Sequence, residues 1–374
     1  MDNSQLSPFR VLLKAVLLLM LIALIFGFIN SDAVGKLSLY NYLFPGRERL
    51  PFGENQQQAY NLSLYNIPAM FASHEVNSLR IKDNYYDVFL LGDSSVWGTL
   101  LHPNQTLDGQ LNALNLTICG RPARFHNLGY PTLSLTKDLM LLDEAMRYSP
   151  DQIVWLTTLE SFPRETQLSA PILANNPSRT LDLISRFNLN LNTDNPVLVK
   201  PDFLKRSLLG QRRNLADLVR LQLYGVMWAA TGIDQTYPEN YEHAATDLEP
   251  DQTFHGRQPP NLDPNTLALN VLDAGIKRAG NVPVLIVNEP ILISHGLNSY
   301  IRYNFFYPRW AYDQYRSFLA SHVLQNGWSY LDLWDIVPPG EFTNSAIHLT
   351  SRGEQILAEH LAEELKNTCT ESKP

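Results

Sequence analysis

Short apolar runs alternate along most of this chain with stretches whose apolar residues recur at helical spacing. Tyr85 to Leu91 is apolar except for Asp87, the pattern of a strand buried on both faces. Arg124 to Gly129 (RFHNLG), Gln152 to Thr158 (QIVWLTT), Val282 to Asn288 (VPVLIVN) and Ser329 to Trp334 (SYLDLW) read as further strands. Between them the spacing predicts helices around 106–114, 135–148, 267–278 and 311–325. A last helix is expected from about Ser351, where Ser351 and Glu354 stand at capping-box spacing. Strands alternating with helices at these lengths predict an α/β fold with a parallel sheet covered on both faces. Ligands bind such sheets beyond the carboxyl ends of the strands, so the loops after Leu91, Gly129, Thr158, Asn288 and Trp334 should converge.

Three regions fall outside this rhythm. Val11 to Ile29 is apolar apart from Lys14 and has about the length one helix needs to cross a bilayer. Lys14 lies near one end, within reach of the headgroups beside Arg10. A cleaved signal peptide is the competing reading, with Ser31-Asp32-Ala33 as a loose cleavage site, but the run is long for one. Either reading sends the rest of the chain across a membrane. Residues 1–32 are thus assigned to a cytoplasmic tip and retained anchor, with the bulk extracytoplasmic. Residues 33–80, polar and aperiodic with GENQQQ at Gly53 to Gln58, are assigned to a connector.

Residues 163–264, rich in Asn, Pro and Asp, read as a mainly helical or irregular insertion packed on a core made of 81–162 and 265–367, and 368–374 as a tail. Within the insertion one helical stretch is expected from about Ser207 to Ala230. There Leu215, Leu218, Val219, Leu223, Val226 and Met227 form a stripe read as core-facing.

Composition narrows the function classes. A chain of 374 residues that is 45% hydrophobic can bury a sizeable core. A net charge of −8 without a long basic run lacks the footprint of a nucleic-acid binder. The nine histidines are scattered and form no metal-ligand spacing with Cys119 or Cys369, so no metal site is expected.

Chemistry concentrates in two places. In VFLLGDSSVWG, residues 88–98, an apolar strand ends on Gly92-Asp93 and Ser94 follows at the amino end of the next helix. Backbone N–H groups there can stabilise an oxyanion, but a serine hydroxyl needs a base to attack at neutral pH. The base candidate is His348, in FTNSAIHLTSRGEQILAEHL, just before the last helix. A Gly-Asp-Ser triplet arises by chance in roughly one chain in ten of this length. Its position after a strand, with a histidine opening the C-terminal helix, gives it weight.

On these residues the chain resembles the SGNH (GDSL-type) hydrolases, over about residues 84–162 and 265–366. The resemblance implies a flavodoxin-like three-layer α/β/α sandwich, Ser94 as nucleophile and His348 as general base, with no cofactor. Three blocks depart from the family pattern. The second has Asn127 but Thr132 where a glycine lends an oxyanion N–H, with Gly129 as an alternative source of flexibility. The third has Glu160 in place of the oxyanion Asn. The last lacks the Asp three residues before the histidine. Ser345 stands there and Asn344 one residue earlier, so both are candidate orienters of His348. Glu160, Glu289 and Asp335 are candidates to supply an acid in space.

The resemblance implies an acyl-enzyme on Ser94, discharged to water or to a glycan hydroxyl. The expected substrate is an acylated glycan of the cell envelope or a small acyl ester, with a membrane-bound acyltransferase as an expected partner. The alternative is a lapsed domain kept for glycan binding or scaffolding. The aromatic run from Ser299 to Tyr315 reads first as packing and second as a platform for sugar rings or an acyl chain. With a flavodoxin-like strand order, Cys119 and Cys369 fall together at the end away from the site, where a disulfide is expected.

Overall fold

The computed structural model describes residues 7–28, 46–50, 52, 67–80, 84–199, much of 202–223, and 240–367. Its centre is a six-stranded sheet of β1 (Tyr86–Gly92), β2 (Thr117–Ile118), β3 (Arg121–Gly129), β4 (Gln152–Thr157), β5 (Val284–Asn288) and β6 (Ser329–Asp332), in the order β2-β3-β1-β4-β5-β6. All pairings are parallel except β2 with β3. Without that edge strand the order is the flavodoxin-like 2-1-3-4-5. Register sets Gly92 beside Gly129 and Thr157 beside Asn288, so the strands end together on one face.

Strand alternation divides the core in two. Phe89 and Leu91 point to one side, with the helices Leu135–Ala145 and Leu269–Ala279. Val88 and Leu90 point to the other, with Leu107–Ala113 and Ser351–Asn367. Both faces are therefore buried, which is why the strands read as apolar runs rather than as alternating ones. Gly275 shows how closely one helix approaches: a Cβ there would lie 2.2 Å from the Trp155 ring.

One strand lies outside the expected set, and three expectations need correction. The edge strand β2 is too short to show periodicity. It forms by a hairpin whose turn residues, Cys119 (φ 50) and Gly120 (φ 74), are both left-handed, as a type I′ turn requires. Cys119 is disulfide-bonded, and Cys369, the only other cysteine, lies outside the described residues. The connector reading gave 33–80 too little, since Leu50, Ile67, Met70, Phe71 and Val76 are buried in the same core cluster as Phe89. The stripe read as core-facing has Val219 and Leu223 exposed, while Leu218, Val226 and Met227 lie outside the described residues. The last helix is capped one residue earlier than expected, by Thr350 Oγ1 accepting from the Gly353 N–H. Ser351 accepts instead from Gln110, and Glu354 is buried.

Residues 163–264, expected as an insertion, contribute Ile172, Leu173, Leu183, Ile184, Phe254 and Leu262 to the core. The aromatic run divides: Tyr303, Tyr307, Tyr312 and Tyr315 are buried core, while Tyr300 and Phe305 are exposed. At the N-terminus a 21-residue apolar helix, Pro8–Phe28, is long enough to cross a membrane by length and composition.

A part-buried ion cluster ties the segment before β1 to the sheet. The His126 ring on β3 bonds Glu75 through Nδ1 and lies 3.1 Å from Asp87 Oδ1 through Nε2. Burial alone would lower the histidine pKa, but the bonds and charges of Asp87 and Glu75 prevail and raise it to about 9. A folded-state pKa above the unfolded value makes the contribution complete below about pH 6.5 and lost as pH rises through about 9. Thermal melting of the wild type is therefore expected to fall across that window. His126→Gln should lower stability at pH 6 and flatten the slope; an equal slope in both proteins would refute the assignment.

Candidate active site

The site begins with a helix too short to hold itself. Ser94–Trp97 is a single turn, below the length at which helices are self-supporting. Neighbours staple it. Asp93 Oδ1 accepts from the Ser95 N–H at 2.8 Å, and Gly98, at φ 81, closes its carboxyl end. Asn127 Nδ2 donates to Val96 O at 2.7 Å. Arg49 Nη1 donates to the carbonyls of Trp97, Gly98 and Leu101. Gly129 lets β3 approach, since a Cβ there would lie 2.3 Å from the Trp97 nitrogen.

Ser94 and His348 meet although 254 positions separate them: Ser94 Oγ lies 2.8 Å from His348 Nε2. The other ring nitrogen, Nδ1, lies 2.8 Å from Asn344 Oδ1. An amide oxygen only accepts, so Nδ1 carries the proton and Nε2 is left to accept from the Ser94 hydroxyl. Burial lowers the His348 pKa to about 4, so the ring is neutral at pH 7. The histidine loop is held from both sides: Thr343 N–H donates to His348 O and Leu292 N–H to Ala346 O.

The other sequence candidates separate clearly. Asn344 holds the ring and Ser345 does not. Asn127 is buried and fully engaged, bonding Asp108 at 2.7 Å as well as Val96, and its Oδ1 accepts the Gly129 N–H. Neither Asn127 nor Gly129 is therefore free to donate to an oxyanion. Thr132 itself takes the left-handed conformation, with φ 95, that explains the family's glycine at this position. Its backbone N–H and that of Ser94 have no acceptor among the described residues.

Glu160 bonds His255 of the insertion at 2.8 Å, and that bond raises the histidine pKa. Glu289 bonds Ser95, and Asp335 is exposed. None of the three supplies the acid that the pattern lacks. Among the described residues no group of three His, Cys, Asp or Glu could hold a metal.

Beneath the turn lies a buried charged floor that the sequence reading missed. Lys137 has no exposed surface, and its Nζ donates to Gly92 O at 2.7 Å and Tyr130 O at 2.8 Å. Asp138 Oδ1 lies 2.5 Å away as its counter-charge. The only sequence signal was a Lys-Asp pair inside a helix whose every residue is buried.

The orienting residue sets the acid limb of reactivity. Wild-type Ser94 is expected to react at a constant rate from about pH 5 upward and to lose reactivity as pH falls through about 4, where the base protonates. Asn344→Asp places a carboxylate at Nδ1 and should move that limb upward by more than one unit. An unmoved limb would show that residue 344 does not govern the ring.

No family model and no curated protein matches the chain. Comparison with solved structures finds a lipolytic protein of the G-D-S-L family from Desulfitobacterium hafniense, 9% identical, covering 74% of this chain and 98% of that one, with a TM-score of 0.35. A lipase/acylhydrolase from Enterococcus faecalis is 13% identical over 75% and 95%, with a TM-score of 0.37. A carbohydrate acetylesterase family member from Sinorhizobium meliloti is 11% identical over 75% and 97%, with a TM-score of 0.34.

Proposed function

We propose that this protein is a serine esterase or O-acyltransferase acting through an acyl-enzyme on Ser94. One observation carries the reading: the hydrogen-bonded series Ser94 Oγ, His348 Nε2, His348 Nδ1, Asn344 Oδ1, with both links at 2.8 Å. Ser94 Oγ attacks the ester carbonyl while its proton passes to His348 Nε2. The carbonyl electron pair becomes an oxyanion, and the N–H groups of Ser94 and Thr132, which have no acceptor among the described residues, are its donors in this proposal. Collapse breaks the ester C–O bond, and His348 returns the proton to the leaving alcohol. Water, or a hydroxyl of an acceptor, then repeats the sequence and releases the acyl group. Because an amide stabilises the imidazolium less than a carboxylate does, the rate is expected to lie below that of a Ser-His-Asp enzyme.

The address supports a cell-envelope or exported glycan ester as substrate. The helix Pro8–Phe28 is read as a retained anchor with the bulk of the chain extracytoplasmic, beside a membrane-bound acyltransferase as donor. The test is reaction of the full chain with a fluorophosphonate, followed by mapping of the modified peptide. Modification at Ser94 alone is expected. A folded protein that stays unlabelled would overturn the enzymatic reading and leave the glycan-binding or scaffolding module, in which the departures at Thr132, Glu160 and Ser345 record lost catalysis. Acetyl transfer to an oligosaccharide, compared with release to water, separates transferase from esterase.

A further inference from the structure

Ser95, beside the nucleophile, has a partner from a distant strand end. Its hydroxyl donates to Glu289 Oε2, across 194 positions of sequence. Glu289 follows β5 directly, is 2% exposed, and is fixed to the sheet by its own N–H, which donates to Thr157 O at 3.0 Å. Its second carboxyl oxygen, Oε1, has no partner among the described residues. Beside this bond lies a cavity of ≈ 10 Å³ lined by Ser95, Leu156, Glu289, Ile347, Leu349 and Glu354, among others. Ile347 and Leu349 flank His348, so the hollow lies under both halves of the reactive pair. Side chains do not fill the space there, and the Ser95–Glu289 bond spans its edge.

We propose that Glu289 is a positioning residue: anchored on the rigid sheet end, it holds Ser95 and so keeps Ser94 Oγ in line with His348 Nε2. The proposal rests on Ser94 being the nucleophile. Charged and titratable groups face Glu289 from every side: Asp93 on the turn, Asp138 with Lys137 on the helix Leu135–Ala145, and Glu354 on the last helix. Burial, then the charge of Asp93, raise the Glu289 pKa well above its ordinary value, which favours the neutral acid. A neutral acid has one donor and one acceptor oxygen, which the amide of glutamine reproduces in shape and in bonding capacity.

The test uses the full chain in detergent and three variants. Glu289→Gln should label with fluorophosphonate at close to the wild-type rate. Glu289→Ala should slow labelling by about 10²-fold, the cost of a misplacement near 1 Å, and lower kcat on a small ester with KM unchanged. Ser95→Ala removes the same bond from the other side, so it decides the matter if Glu289→Ala does not fold; about tenfold slower labelling is expected. The ¹⁵N resonance of His348 Nε2 reads the Ser94 bond without turnover. It should move in both alanine variants and stay in place in Glu289→Gln.

Equal losses in Glu289→Gln and Glu289→Ala would overturn the proposal. So would a wild-type resonance and labelling rate in both alanine variants. A wild type that does not label at all would instead fail the reading of Ser94, while the resonance would still report whether Glu289 holds the turn.

Discussion

His348→Ala lowers the rate at which Ser94 reacts with a fluorophosphonate by on the order of 10⁴- to 10⁶-fold, the scale on which triad members act as a unit. The reason is local. Among the described residues Ser94 Oγ bonds one base, His348 Nε2 at 2.8 Å, and an alkoxide does not form at neutral pH without one. The substitution should leave the fold intact, because the loop is held by backbone bonds of Thr343 and Ala346 rather than by the ring. Free imidazole supplied in solution should restore part of the rate. Labelling of His348→Ala at the wild-type rate, at the same residue, would remove His348 as base and with it the proposed mechanism.

Lys137→Met has the largest expected effect on stability. The Lys137 ammonium donates to the carbonyls of Gly92 and Tyr130 and forms an ion pair with Asp138. Methionine fills similar volume, but it removes a donor from the carbonyls of Gly92 and Tyr130 and leaves Asp138 without its counter-charge. Breaking a buried pair from one side costs about 3–5 kcal/mol. A denaturant midpoint shift of that size is expected. Lys137→Met combined with Asp138→Asn should recover part of it, because the isolated charge is then gone. If the double variant is no more stable than the single one, the ion-pair account fails. Gly92 and Tyr130 end or follow the two strands that carry Ser94 and Thr132, so reactivity should fall together with stability.

The paths to these two residues differ. His348 was legible because a histidine opening a helix after a strand-helix rhythm has a fixed place at the carboxyl end of a parallel sheet. Lys137 was not, because its meaning depends on three partners: two carbonyls and the side chain of its own neighbour. Glu160 shows the same limit: the chain places a carboxylate where the family has an amide, and only the fold brings His255 against it. For Thr132 the chain named the anomaly, a β-branched residue at a glycine position. The structure gives its form, a left-handed φ of 95.

By itself the sequence determined the parallel sheet and the strand that delivers Ser94 to its carboxyl end, and it put His348 at the same end; the roles of the two were what the family resemblance implied. The sheet and the two placements follow from local periodicity and strand direction, which neighbouring residues encode. Which of Asn344, Ser345, Glu160, Glu289 and Asp335 would orient the histidine was decided only by tertiary structure. So were the engagement of Asn127 within the core and the buried floor of Lys137, Asp138 and Glu289. Hydrogen bonds and ion pairs at 2.5–3 Å depend on the meeting of side chains from distant segments, and no spacing along one chain records that distance.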